Sequence, residues 1–373
     1  MITITIAQRL SMILTLITLS VAPYCQADNA SNKNFSITTT RQIAYIISNK
    51  HYLKPRFDHV YQQAKNATSL RHYLKTLDKY SRYRPVEQVK FAQRRSKKHR
   101  IDIGADLLID ANNVLAVPLI NSPLLRAGMK KPVYIQSING QTINYNDFKS
   151  YQFLGYLRSG QKITVKTRNT HKTYNIRATQ VNNQTVHYKK IKQYGVITIR
   201  RFTEQNVSAI KKALMAAKKS SSIIIDLRHN PGGDLYATTD TLSFLLKKDK
   251  NITYLKQGNT LINLQTLKGR LIKNKRLIIL SSRFTASSAE VFIRALKYYY
   301  PKVTLVGEET SGKCLAQENF QLKNGALLHL SVYNLLTPDK KYCQDKPIQP
   351  DRVINDIELM DIKNIIHIQR KIL

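Results

Sequence analysis

Acidic residues are scarce in this chain: 23 Asp and Glu stand against 60 Lys and Arg in 373 residues, a formal net charge of +37. Such a balance points to anionic partners, whether an acidic protein, a phospholipid or lipopolysaccharide surface, or nucleic acid. No nucleic-acid-binding motif is present, which sets the last class aside. A solvated basic surface without a specific partner accounts for the charge equally well. Cysteine is nearly missing, with three in all, and no histidine cluster has ligand spacing, which argues against a zinc site. Internal repeats and low-complexity segments are lacking too. The length suggests two or three domains with ample material for a core.

The first 27 residues have the pattern of a targeting segment. Arg9 is their only charge, Leu10–Ala22 is an apolar run, and Cys25-Gln26-Ala27 resembles a small-residue cleavage site. The run is shorter than a comfortable membrane span. An uncleaved amphipathic anchor is the alternative; lipidation at Cys25 is disfavoured because Pro23 and Tyr24 stand where small residues belong. The expectation is a signal peptide over 1–27 and a periplasmic protein. Outside the leader only Cys314 and Cys343 remain. An oxidising compartment permits them to pair, with two separate thiols as the equal alternative.

The chemistry concentrates between Arg283 and Gln317. Leu277–Leu280 reads as a buried strand, Thr285–Ala289 as a turn of small residues, and Val291, Phe292, Ala295, Leu296 and Tyr299 recur at helical spacing. Ser287 therefore falls where a strand passes into a helix N-terminus, beside unpaired backbone N–H groups suited to a developing oxyanion. A serine hydroxyl is a weak nucleophile until a base takes its proton. Lys313, between Gly312 and the apolar Cys314–Ala316, is the candidate: burial would lower its pKa until it acts as a neutral amine. Gln317 lies four residues on, about 13 Å away in an extended strand, so grouping the three requires the chain to curl. Ser288 is a competing nucleophile.

A second constellation is Asp226-Leu227-Arg228-His229-Asn230-Pro231-Gly232-Gly233, which follows the buried strand Ser222–Leu227. Consecutive glycines let backbone N–H groups approach a reacting carbonyl. Gly232 or Gly233, with the N–H of Ser288, is the candidate oxyanion hole. His229 beside Asp226 offers a rival base, although three residues across a tight loop is a poor spacing for it. A strand at Gly195–Arg200 and an amphipathic helix at Thr203–Lys219 add to a repeated strand–loop–helix pattern, and so to an α/β core with crossover connections. Between Ile101 and Val181 the rhythm is of short strands, beginning with Ile101–Ile109 and Val114–Ile120. A helix at Asp147–Arg158 and a hairpin of Lys162–Thr167 with Thr173–Ala178 complete that unit. Residues 28–100 read as helical, around Gln42–Ile47, Phe57–Lys65 and Leu70–Leu77, with Arg94–Arg100 as an exposed basic linker.

These motifs resemble those of the carboxyl-terminal processing peptidases, also called tail-specific proteases. That family's nucleophile lies in a Ser-Ala-Ser-Glu-type turn, three residues before the Glu, which matches Ser287 ahead of Glu290. Its lysine lies in a Thr-Phe-Gly-Lys-type turn, matching Thr310–Lys313 with Ser311 replacing the aromatic. A Gln four residues later in several members matches Gln317; the helix Asp of other members has no match, since Tyr298–Tyr300 stands there. Asp226–Gly233, Leu77–Tyr83 and Ile348–Asp351 resemble further family elements.

The resemblance implies an α/β, ClpP/crotonase-like protease core at 182–355 with an inserted mainly-β PDZ domain at 101–181. A helical N-terminal region at 28–100 and a C-terminal helix at 356–373 flank them. It implies that Ile103, Gly104 and Ala105 supply N–H groups to a substrate's terminal carboxylate, the peptide adding as a strand alongside. The expected protein is an exported serine endopeptidase cutting substrates with free C-termini, with Ser287 as nucleophile, Lys313 as base and Gln317 orienting the lysine. No metal, nucleotide or other cofactor is implied, and contact with an anionic envelope surface and homo-oligomerisation stay open. A catalytically silent PDZ scaffold that binds tails without cutting is the alternative.

Overall fold

The computed structural model describes residues 2–3 and 34–372, apart from 111–112, 145–146, 169 and 268. The expected leader therefore lies outside the described residues except for Ile2–Thr3, which pairs in parallel with Ile262 and Asn263.

Six strands in sequential order form the central sheet: Val186–Ile191, Tyr194–Ile199, Ser222–Asp226, Arg276–Ser281, Val303–Gly307 and Arg352–Val353. The first pair is an antiparallel hairpin and every later pair is parallel. Strands covered on both faces read as unbroken apolar runs, and Ile223-Ile224-Ile225 shows why. Ile223 and Ile225 belong to the core on one face, Ile224 to the core on the other. Helices Glu204–Ala217, Leu235–Leu242 and Ser288–Tyr299 cover the first face. Ile357 and the terminal helix Ile362–Ile372, through Ile365 and Ile366, cover the second. Because Asp226 pairs with Leu280, the loop after each of those parallel strands leaves the sheet at the same end. Open parallel sheets place their ligands at that end.

A second sheet joins Thr260–Gln265, Asn251–Gln257, Leu327–Leu336 and Leu315–Gln321. The N-terminal strand Arg82–Arg84 adds to it by pairing with Leu327, Leu328 and His329. Helices Ile37–Lys50 and Ala67–Leu77 pack Ile43, Ile47, Leu70 and Leu74 against Leu328 and Leu330 behind that strand. A third sheet runs Ala105–Asp110, Asn113–Pro118, Val133–Ile138, Lys162–Thr167 and Thr173–Arg177, with Ala105–Asp110 at its edge. It has a core of its own, including Ile103, Leu124, Tyr151 and Val165. Leu108, Leu115, Val117 and Tyr134 dock this unit on Phe284, three residues before Ser287.

The structure corrects three expectations. The helix over Asp147–Arg158 is two 3-10 turns, Phe148–Ser150 and Gln152–Gly155. Edge-to-face packing of Phe148 and Tyr151 on Phe91 takes precedence over a regular helix. The basic run Arg94–Arg100 is no linker. Its first residues finish the helix Val86–Ser96, and His99–Asp102 forms a strand with Thr179–Asn182. Arg95 and Arg100 close on Asp102, which is fully buried; burial of that carboxylate is tolerable because it is paired. The strand expected over Ile101–Ile109 breaks at Ile103-Gly104. Gly104 has φ +92, and a Cβ there would lie 2.4 Å from Cβ of Ser122, so only glycine fits.

Candidate active site

The turn that carries Ser287 is built by its neighbours. Past Arg276–Ser281, the hydroxyls of Ser282 and Thr285 donate to the carbonyls of Arg228 and Leu227, and the N–H of Ala286 donates to Asn230. Ser287, the N-cap of Ser288–Tyr299, is held at φ 58 and ψ −124. An L-residue keeps such a conformation only where the surroundings over-determine it. Ser287 retains some exposure, whereas Ser288 is completely buried and its hydroxyl has no partner among the described residues. Access favours Ser287 as the nucleophile.

Glu290, one helical turn further on and fully buried, ties this turn to the lysine turn. Its Oε2 accepts the N–H of Ser287 at 3.0 Å and that of Lys313 at 2.8 Å. Its Oε1 accepts the Thr310 hydroxyl at 2.6 Å and the Gly312 N–H at 2.9 Å. The backbones of Ser287 and Lys313 thus meet on one oxygen. Burial pushes the Glu290 carboxyl up, while the donors from Thr310, Lys313 and Ser287 pull it back. A Ser followed by Glu at the third helical position is a capping-box signal in the sequence; its reach to Thr310–Lys313 has no sequence signal.

Lys313 is the second half of the site. Solvent reaches part of the residue, but its ammonium end is enclosed, lying 4.9 Å from the centre of the Tyr80 ring. Burial, then the Arg82 guanidinium, lowers its pKa to about 7; Glu290 and Asp78 pull it upward and Arg84 downward. Three of these charges, Arg82, Arg84 and Asp78, come from the N-terminal region, and the pairing of Arg82–Arg84 with Leu327–Leu336 delivers the two arginines. Asp78 organises that delivery. Its Oδ1 accepts the N–H groups of Tyr80 and Ser81, and its Oδ2 binds His51 at 2.8 Å and Ser81 Oγ at 2.6 Å. Burial would raise the Asp78 carboxyl, but these bonds outweigh it and hold it at about 2.

The remaining sequence candidates separate. The N–H of Gly232 donates to Asn230 Oδ1 at 2.8 Å, whereas those of Gly233 and Ser288 have no acceptor among the described residues. Both glycines lie at close approaches: a Cβ on Gly232 would be 2.9 Å from Cβ of Ser287, and one on Gly233 2.0 Å from the Phe202 carbonyl. His229 is turned away, with Nε2 donating to the carbonyl of Glu358 at 2.8 Å. Burial, then Arg228, holds its pKa at about 3. Gln317 follows a bulge between Ala316 and Gln317, and its amide donates to the Leu315 carbonyl at 2.8 Å rather than to Lys313. Cys314 and Cys343 form a disulfide directly after the lysine. In the edge unit, Gly104 gives its N–H to Asp102 at 2.9 Å, while the carbonyls of Ile103 and Gly104 accept from Leu124 and Leu119. Gly104 therefore has no N–H to offer a ligand; Ala105 begins the edge strand beside it.

Residues 193–354 match the model of peptidase family S41. The chain carries an S41 peptidase domain. That segment holds the central parallel strands, the Asp226–Gly233 loop, Ser287 and Lys313. Among known proteins, the chain is similar to a probable CtpA-like serine protease of Staphylococcus aureus (strain bovine RF122 / ET3-1), 31% identical over 285 residues, 74% of this chain and 57% of that protein. A protein of the same description from Staphylococcus haemolyticus is 28% identical over 295 residues, 77% of this chain and 59% of the relative. The chain thus spans somewhat more than half the length of these relatives. Among solved structures it is similar to a photosystem II D1 C-terminal processing protease, with a TM-score of 0.66, 16% identity and coverage of 88% of this chain and 96% of that one. A putative S41 protease from Bacteroides fragilis follows at a TM-score of 0.57 and 15% identity, covering 89% and 97%. At such identities these structures show a shared fold, one that extends beyond the S41 domain.

Proposed function

We propose that this protein is an exported serine endopeptidase of the S41 domain type, cutting substrates presented by their C-terminal tails. The observation that carries the reading is the Glu290 carboxylate, which holds Ser287 and Lys313 on one oxygen. Ser287 Oγ attacks the scissile carbonyl and its proton passes to the neutral amine of Lys313; the N–H groups of Gly233 and Ser288 receive the oxyanion. When the C–N bond breaks, Lys313 returns the proton to the leaving amine, and the acyl-enzyme remains. Water, deprotonated by the same lysine, releases the new carboxylate and regenerates Ser287. Gln317 acts through the backbone, fixing the Leu315 carbonyl two residues beyond the lysine.

The sequential strand order fits a ClpP/crotonase-like core, and the unit at 101–181 reads as a PDZ domain whose edge strand Ala105–Asp110 is open to an added peptide strand. Wild type is expected to degrade an unfolded exported protein bearing an apolar tail, and Ser287→Ala to leave it intact. Cutting by both proteins, or by neither, contradicts the assignment. Tail binding without cutting by the wild type would instead support the silent-scaffold reading.

A further inference from the structure

A cavity of about 800 Å³ lies between the edge strand, the helix Val86–Ser96 and the Asp226–Gly233 loop. Asp106, Leu107 and Leu108 of the edge strand form one wall, and His229 and Pro231, next to Gly232, form another. Its volume is in the range of ligand sites. Its charge is unusual: Arg84, Arg95, Lys98, Arg100, Arg200 and Arg201 line it, against one carboxylate of the wall, Asp106. Asp102, behind Arg95 and Arg100, accounts for one more negative charge. Arg200 joins the two units, donating to Asp106 Oδ2 at 3.2 Å and to the carbonyl of Pro118 at 2.9 Å, yet its Nε–H has no acceptor among the described residues.

We propose that this cavity selects tails bearing acidic side chains, and that arginine and lysine side chains of the wall, rather than the Gly104 amide, meet their carboxylates. The proposal rests on the peptidase reading and narrows its substrate class. An extended peptide added to Ala105–Asp110 lays alternate side chains into the cavity. Carboxylates there replace hydration with charge-assisted bonds from guanidinium groups, the strong class of such contacts. A basic tail meets like charge in a confined space and is rejected. The Gly104 N–H already serves Asp102, so the backbone of that turn has less to give a terminal carboxylate, and side-chain carboxylates carry the selection.

The test uses the full chain with Ser287→Ala and fluorescent ten-residue peptides read by anisotropy. The peptides share one apolar C-terminus and carry Glu, Gln or Lys at the two preceding positions. The Glu peptide is expected to bind about tenfold more tightly than the Gln peptide. Its affinity should fall with added salt, and the Lys peptide should bind most weakly. Amidating the C-terminus should leave the Glu-over-Gln preference in place. Lys98 is exposed at the rim, so Lys98→Glu is a safe variant for folding and should narrow that preference; Arg201→Gln should narrow it further. Equal affinity for Glu and Gln peptides, or a preference that vanishes on amidation, overturns the proposal. The peptidase reading is tested separately: wild type that cuts Glu and Gln tails at equal kcat/KM sinks only the acidic preference. Acid-selective binding without any cutting sinks only the peptidase reading.

Discussion

The two halves of the site are built in opposite ways. Ser287 is set by its own neighbourhood: a strained φ, a turn bonded to the adjacent loop, and Glu290 one helical turn away, all within the S41 domain. Lys313 takes its backbone position from Glu290, but the charges that act on its amine are Glu290 together with Arg82, Asp78 and Arg84, three residues that precede the domain by more than a hundred positions. A nucleophile needs a fixed position, which local hydrogen bonds supply. A base needs a tuned charge, which the desolvating and charged groups around it supply wherever they come from. The N-terminal region therefore shapes the electrostatic surroundings of the Lys313 amine.

The largest effect should come from removing the amine. Lys313→Met is expected to lower kcat/KM by about a thousandfold while stabilising the fold, because it removes an amine whose charged form burial opposes. The sign follows from the depressed value. Between about 7 and the ordinary lysine range the unfolded chain binds the extra proton, so stability rises with pH across that window and the buried ammonium burdens the fold below it. Thermal melts of both proteins at pH 6 and pH 9 should show the variant's advantage shrinking at the higher pH. Glu290→Gln strikes both halves together. It should cost about a hundredfold in kcat and about 2–4 kcal/mol in stability, because one amide oxygen cannot serve four donors. An effect on stability without one on kcat would separate the halves and break the account.

Cys343→Ser opens the loop of 29 residues closed on Cys314. It should lower stability by roughly 2–4 kcal/mol and reduce activity less than Glu290→Gln does, since the carboxylate still holds the Lys313 N–H. The smallest change is the most diagnostic. Arg82→Gln removes a charge that lowers the lysine's pKa, so the acid limb of the rate profile should move to higher pH. Arg84→Gln should move it the same way by less.

How much of this was open to sequence reading follows the same division. The strand-to-helix turn that carries Ser287 and the turn after the strand Ser222–Asp226 were legible because apolar strands, small-residue turns and glycine pairs are local patterns. The clamp by Glu290 joins segments twenty residues and more apart, so the sequence displayed only its capping role. The surroundings of Lys313 depend on Arg82–Arg84 finding Leu327–His329, a pairing that no local pattern encodes. Arg94–Arg100 looked like a solvated run because nothing nearby in sequence marks Asp102 as the group that Arg95 and Arg100 enclose. The helix expected at Asp147–Arg158 failed for a related reason: Phe91, from a different segment, decides where Phe148 and Tyr151 go.

The most direct test is the pH dependence of kcat/KM on a tailed protein substrate, in wild type and in Arg82→Gln. Wild type should lose activity as pH falls through about 7, the value at which Lys313 takes up its proton, and the variant should lose it at a higher pH. An acid limb near 3, where His229 titrates, or a limb that stays in place when Arg82 is removed, would contradict the assignment of Lys313 as the base tuned by the N-terminal region.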